Sequence, residues 1–203
     1  MVLPDERPVH NERRTQFLNV AKKVFAQNGF QATTMDDVAR EAGFTKPILY
    51  QYFTSKASLY QEIVASTGAT LIETLMAEVA TRELPREKIE VAFRVYFNMV
   101  VNDTEAFRLL FIHTHDGETA NELRKVEMNF VSFLVPYIDS SIGHDDRRQM
   151  AAGIVGLAEG VATMWLVQQE SKGWPTPAPD AAERLADHSA RLAWGGLRAL
   201  LRD

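Results

Sequence analysis

The 203-residue chain is predicted to be all-α, opening on a helix-turn-helix, and three observations lead there. Apolar residues recur at the helical period along nearly the whole length. No segment holds the strict alternation of a half-buried strand for long. Residues 29–56, GFQATTMDDVAREAGFTKPILYQYFTSK, carry helix starts and stops at close spacing.

From Asn11 to Asn28 the positions of Phe17, Val20, Ala21, Val24 and Phe25 mark one helical face, and Gly29 ends it. Phe30 is placed to plug the core of a small N-terminal bundle, since two short helices alone would bury too little surface. Residues 1–10 read as a loose arm, with Arg7, Arg13 and Arg14 keeping open a role at a phosphate or minor groove. Thr34 is placed to cap the next helix, Asp37 completes a capping box, and Met35, Val38 and Ala39 form the apolar face. Gly43 can enter the left-handed conformation that a sharp turn needs. Thr45 is the candidate cap of a second short helix, and Pro47 sits in its first turn, where a missing N–H is no loss. Leu49 and Phe53 turn inward. Lys46, Ile48, Tyr50, Gln51 and Tyr52 cover the outward faces, with Ile48 and Tyr52 open to partial burial. A short, capped helix with a polar outer face fits a DNA major groove.

Ser55 is the candidate cap of a long helix from Lys56 to about Ala80, built on Leu59, Tyr60, Ile63, Val64, Leu71, Ile72, Leu75 and Val79. Gly68 weakens it locally and permits a bend, though an unbent helix fits equally. Pro85 starts afresh. Residues 86–101 form a broad apolar face, and 104–114 and 119–141 add further helical runs, the last kinked or finished near Pro136. Residues 145–171 are the longest periodic stretch, yet they hold Gly153, Gly156 and Gly160. Each Gly costs about 1 kcal/mol of helix propensity, which close approach of another helix offsets. After Pro175, Pro177 and Pro179, Asp180 is placed to cap a final helix with Leu185, Leu192, Trp194, Leu197 and Leu200. These last two helices are candidates for a subunit interface, a four-helix bundle from two copies through Gly153, Gly156, Gly160, Trp194 and Leu197. An ordinary intrachain pair is the alternative.

The formal charge of −5 argues against indiscriminate nucleic-acid binding, but the mean hides a split. Residues 1–60 hold eight Lys/Arg against six Asp/Glu, whereas residues 61–203 hold fourteen against twenty-one. That suits a DNA-reading end and a body that stays off DNA. The absence of Cys excludes disulfides and thiolate metal sites and suits a reducing compartment. No apolar core of a signal peptide is present in residues 1–14, and no apolar run is expected to approach the roughly 20 residues of a membrane span. A soluble, cytoplasmic protein is expected.

Gly29-Phe30, Thr33-Thr34, Asp37-Val38-Ala39, Ala42-Gly43-Phe44, Leu49-Tyr50, Tyr52-Phe53, Ser55-Lys56 and Leu59 together resemble the N-terminal signature of the TetR family of bacterial one-component transcriptional regulators. Across residues 60–203 the resemblance is one of length, helix count and layout. It implies a homodimer of nine-helix subunits: a DNA-binding domain of three helices over residues 1–55, and six helices over 56–203 for effector binding and dimerisation. Most relatives repress, and a small molecule in the body moves the fourth helix and spreads the two heads. Carried over by position, Thr45, Lys46, Pro47, Ile48, Gln51 and Tyr52 approach base edges, and Thr34, Tyr50 and Lys56 hold phosphate oxygens. Thr45 stands where Ser is frequent and Pro47 where a small residue is frequent, which bears on the preferred operator.

On that reading Lys46 donates to guanine O6 or N7, Gln51 pairs with adenine N6 and N7, and Pro47 or Ile48 meets a thymine methyl. Two-fold symmetry calls for an approximately palindromic operator. In the body, Phe93, Phe97, Phe107, Phe111, Phe130, Phe133, Met164 and Trp165, with Tyr96, either line a cavity for a large, mainly apolar effector or fill the core. Arg94, Arg108, Asn129, Glu159 and Gln168 are candidate polar anchors. His113, His115, Asp116 and Glu118 carry metal-ligand chemistry, but Gly117 and their close spacing favour a solvated turn, and no metal or cofactor is expected. The rivals are an enzyme and a protein-interaction module. No G-x-S-x-G elbow, phosphate-binding glycine loop or Cys nucleophile supports catalysis.

Overall fold

A computed structural model describes residues 7–112, 120–139 and 141–200. Among these the chain is helical with no strand. Helix α1 (Arg7–Ala32) starts four residues before the expected Asn11, and Gly29 (φ 77°) breaks its path as expected. Helix α2 (Met35–Glu41) has the full capping box of Thr34 and Asp37. At its far end Phe44 N–H donates to Ala39 O (2.9 Å) and Gly43 N–H to Arg40 O (3.1 Å), a Schellman closure. Gly43 takes φ 76°, which only Gly adopts cheaply. Helix α3 (Lys46–Tyr50) then begins after Thr45, which occupies the cap position but makes no side-chain cap hydrogen bond.

Helix α4 (Lys56–Ala80) runs the expected length from a Ser55–Ser58 capping box. Gly68 serves packing. A Cβ there would lie 2.9 Å from both methyl carbons of Val126, so the missing side chain lets α4 approach α7 (Ala120–Leu134). Helix α5 (Pro85–Asn102) is followed by a short α6 (Thr104–Phe107) that widens into a π-helical turn, Arg108–Ile112. A 3₁₀ turn through Pro136 finishes α7. Helices α8 (His144–Ser171) and α9 (Ala181–Leu200) complete the body. Residues His113, His115, Asp116 and Glu118 lie outside the described residues.

One apolar core runs without interruption from Phe17, Phe25 and Leu49 through Leu59, Tyr60 and Phe97 to Ala186 and Ala190. The long α9 packs chiefly along α5. Helices α4 and α8 are long enough and apolar enough to cross a membrane by length and composition, contrary to the expectation that no apolar run approaches a span. Each buries one side in the bundle: Leu59, Ile63, Leu71 and Leu75 of α4, and Ala158, Ala162 and Leu166 of α8.

Candidate nucleic-acid interface and body cavity

The outward side of α3 is assembled by what its inward side buries. Leu49 is fully buried and Phe53 nearly so, and the rings of Phe44, Tyr52 and Phe53 gather around Phe17 of α1. Thr45, Lys46, Pro47, Tyr50 and Gln51 are thereby left exposed, with Ile48 and Tyr52 partly buried. The predicted base-reading set therefore shares one short element and its last turn. Thr34 is exposed at the start of α2, where its hydroxyl accepts from Asp37 N–H and donates to Asp37 Oδ2. The bond from the Thr34 hydroxyl and a second from Thr34 N–H (3.0 Å) hold the Asp37 carboxyl below its usual range, with Arg40 helping.

Two cations named as DNA contacts have internal work. Lys56 Nζ donates to the carbonyls of Phe30 (2.8 Å), Gln31 (3.3 Å) and Thr33 (2.9 Å), and lies 4.4 Å from the Phe30 ring centre. Its three protons are thus directed at the end of α1, away from the phosphate role carried over from the family, because the carbonyls freed by the Gly29 break need a donor. Arg14 Nη1 donates to Tyr52 O (3.0 Å), its Nη2 pairs with Glu62 of α4, and its guanidinium sits 4.6 Å from the Phe53 ring centre. Arg14 is a brace between α1, the end of α3 and α4, and so is not part of a loose basic arm.

Two further links join the head to the body. Lys22 Nζ meets Asp103 Oδ2 at 2.6 Å, and Asp103 Oδ1 accepts from Ala106 N–H (3.0 Å), capping α6. Tyr60 of α4 donates to Leu109 O of the π-helical turn (3.3 Å) and packs edge-on against Phe25. Burial pushes the Tyr60 hydroxyl up to about 12, so it stays a donor. No sequence signal pointed to these partners, which lie 81 and 49 positions apart.

Inside the body a small apolar cavity of about 60 Å³ is walled by Leu75 of α4, Phe93 and Tyr96 of α5, Phe111, Phe130 and Phe133, with Ala158 of α8. Four of the eight candidate ligand residues, Phe93, Phe111, Phe130 and Phe133, meet there. Phe97 and Phe107 are fully buried core, Trp165 is buried away from the cavity, and Met164 is 58% exposed. Of the candidate anchors, Arg94, Asn129 and Gln168 are exposed, and Arg108 lies 4.8 Å from the Trp174 ring centre. Glu159 is half-buried and follows the wall residue Ala158 in sequence, but is not itself in the wall. Burial first, then the charge of Glu127, raises its carboxyl to about 7.

Gly153, Gly156 and Gly160 are exposed, and a Cβ at each would meet nothing within 4 Å. Met164 and Val167 extend that bare stripe down α8, and α9 adds Leu192, 64% exposed. Trp194 and Leu197 are half-buried. Leu197 faces Ile89 and Phe93 of α5, and Trp194 shares a groove with Arg86 and Glu90.

Residues 17–63 match the family model described as bacterial regulatory proteins, tetR family. The chain is 40% identical over 176 residues to the HTH-type transcriptional repressor KstR2 of Rhodococcus jostii (strain RHA1), covering 79% of this chain and 83% of that one. It is 27% identical over 191 residues to the HTH-type transcriptional activator FasR of Mycolicibacterium smegmatis, covering 92% and 84%. In fold it resembles the transcriptional regulator FadR from Bacillus subtilis in complex with stearoyl-CoA, with TM-score 0.73, 16% identity and coverage of 88% and 96%.

Proposed function

The chain belongs to the TetR family of bacterial transcriptional regulators, and from that premise we propose that it is a repressor which binds a palindromic operator as a homodimer and lets go when a mainly apolar small molecule enters its body. It is a transcriptional regulator and not an enzyme. The observation that carries the finer reading is the continuity between cavity and head. Phe111 walls the cavity, and Leu109 in the same turn accepts from Tyr60 of α4. Helix α4 in turn holds Arg14, and through it the end of α3.

The mechanism follows from that chain of contacts. At about 60 Å³ the cavity falls well short of the roughly 300 Å³ at which ligand pockets begin. An effector therefore has to push its walls apart, and the walls Leu75 and Phe111 belong to α4 and the π-helical turn, the two elements that the Tyr60 bond joins. Displacement of α4 relative to α1 changes the spacing of two heads in a dimer. A ligand that favours the displaced state lowers operator affinity by its difference in affinity for the two states. KstR2 is a repressor, which favours this sign, and the acyl chain of the stearoyl-CoA held by FadR, which shares the fold, favours an effector with an apolar part.

On the DNA side, Lys46, Tyr50 and Gln51 are the side chains we assign to operator contact, with Thr45, Pro47, Ile48 and Tyr52 at its edge. Thr34 and the amides at the start of α2 approach phosphate. The dimer forms through the glycine stripe of α8, with Met164, Val167 and Leu192. Selection of duplexes from a randomised pool by the purified chain tests the proposal. Enrichment of an inverted repeat with half-sites about one helical turn or more apart supports it. Enrichment of unrepeated sites, or none, refutes it.

A further inference from the structure

A second small void lies in line with the cavity. It measures about 30 Å³, and four residues line both: Ala92 and Phe93 of α5, Leu134 of α7 and Ile154 of α8. The surrounding helices agree on the order. On α5, Ile89 borders only the outer void and Tyr96 only the inner one. Phe130 of α7 is inner and Ile138, just past that helix, is outer; Ala158 of α8 is inner. The voids therefore follow one another along the bundle, over the span from Ile89 to Tyr96, about 10 Å of helix. Tyr137, 37% exposed, stands at the outer void. The inner one ends against Leu75 and Phe111 and, among the described residues, meets no polar surface.

We infer that the two voids are one channel for an unbranched hydrocarbon chain, which enters beside Tyr137, passes Phe93 and ends against Phe111. This rests on the effector reading above and narrows it. Phe93 is the bulkiest side chain of the shared wall, and its ring is stacked on Phe97 at 6.2 Å between centres, which holds it in place. A chain is narrow along its whole length and passes that ring once Leu134 and Ile154 give a little. A ring of the same carbon count needs the packed walls to part across its full width, which forfeits their contacts with one another. The inner wall offers a polar group no partner, so the polar end of the ligand stays outside, at Tyr137. Phe93 thus determines the shape of what reaches Leu75 and Phe111, the walls that belong to α4 and the π-helical turn.

Calorimetric titration of the full chain with octan-1-ol and cyclooctanol, which carry the same number of carbons and one hydroxyl each, tests this. Octan-1-ol is expected to bind at least about tenfold more tightly. Phe93→Leu widens the constriction from α5 and Leu134→Ala widens it from α7. In whichever of the two keeps its helical circular dichroism, cyclooctanol should gain and most of the difference should vanish. A difference that persists undiminished there overturns the role of Phe93. Equal binding of the two alcohols by the unaltered protein, or a preference for cyclooctanol, overturns the chain assignment and leaves the effector cavity standing. Binding of neither overturns the effector reading, and the chain assignment with it.

Discussion

Lys22 of α1 and Asp103, at the junction of α5 and α6, close a 2.6 Å ion pair between the DNA-facing head and the body. Asp103 also caps α6, so one carboxylate holds the head and fixes the start of the segment leading to the cavity wall. The pair is partly exposed, with 22% and 46% of the two side chains accessible, so its own energy is small. Lys22→Met should cost under about 1 kcal/mol in urea unfolding. Asp103→Ala should cost about 1 kcal/mol more, because the cap goes with it. Equal costs would mean that the cap contributes nothing.

Lys56 and Lys46 should behave oppositely. Lys46→Ala leaves thermal stability unchanged and alters the base preference found by duplex selection. Lys56→Met removes three hydrogen bonds to the end of α1 and should lower stability by about 1–3 kcal/mol. It should weaken DNA binding without changing which sequence is preferred.

Gly68→Ala places a methyl 2.9 Å from Val126 and should destabilise the fold by about 1–3 kcal/mol. The partner change tests the cause. Val126→Ala in the same chain should return part of that loss, giving a favourable coupling in a double-mutant cycle. Purely additive costs would show that helix propensity, not crowding against α7, governs this position.

The α8 stripe offers a clean separation of folding from assembly. Because a Cβ at Gly156 meets nothing within 4 Å of its own chain, Gly156→Arg should fold at least as stably as the parent protein. In sedimentation the parent should run as a dimer and the variant as a monomer, with operator affinity lost. A dimeric Gly156→Arg would remove α8 from the interface.

Glu159 gives a pH signature. Its carboxyl is raised from 4.5 to about 7 in the folded chain, so between these values the native state binds more protons than the unfolded one. Its contribution to stability is therefore present below pH 4.5, declines as pH rises towards 7, and changes little above. Glu159→Gln should flatten that part of the profile and stabilise the protein at pH 8. An unchanged slope in urea unfolding between pH 5 and 8 would assign the effect elsewhere.

Local chemistry made the helix boundaries legible. The Thr34–Asp37 box, Gly43, Ser55 and Pro85 act within four residues of themselves, and each did in the structure what its side chain predicts. Periodicity was equally sound in marking α8 as apolar, but it does not say which of two apolar sides meets the chain's own core. Met164, named with the cavity residues, accordingly stands exposed on the outside of α8, and Leu197 of α9 lines a groove with Ile89 and Phe93 of α5. The carbonyls of Phe30 and Tyr52 that hold Lys56 and Arg14 come from elsewhere in the sequence, so no local pattern marks these cations as engaged. The Tyr96 hydroxyl and Glu159 Oε1, on α5 and α8, buried and unpaired among the described residues, have no local signature either.

The internal engagement of the head's cations sets how the protein meets an ionic solution. Arg14 is paired with Glu62, Lys22 with Asp103, Arg40 with Asp36 and Asp37, and Lys56 is turned to backbone carbonyls. Few side chains remain to displace condensed counterions, and each phosphate neutralised contributes about −0.9 to the slope of log affinity against log salt concentration. A shallow slope means that stray genomic duplex holds the protein weakly, and that potassium fluctuations in the cell leave occupancy of the true operator nearly undisturbed.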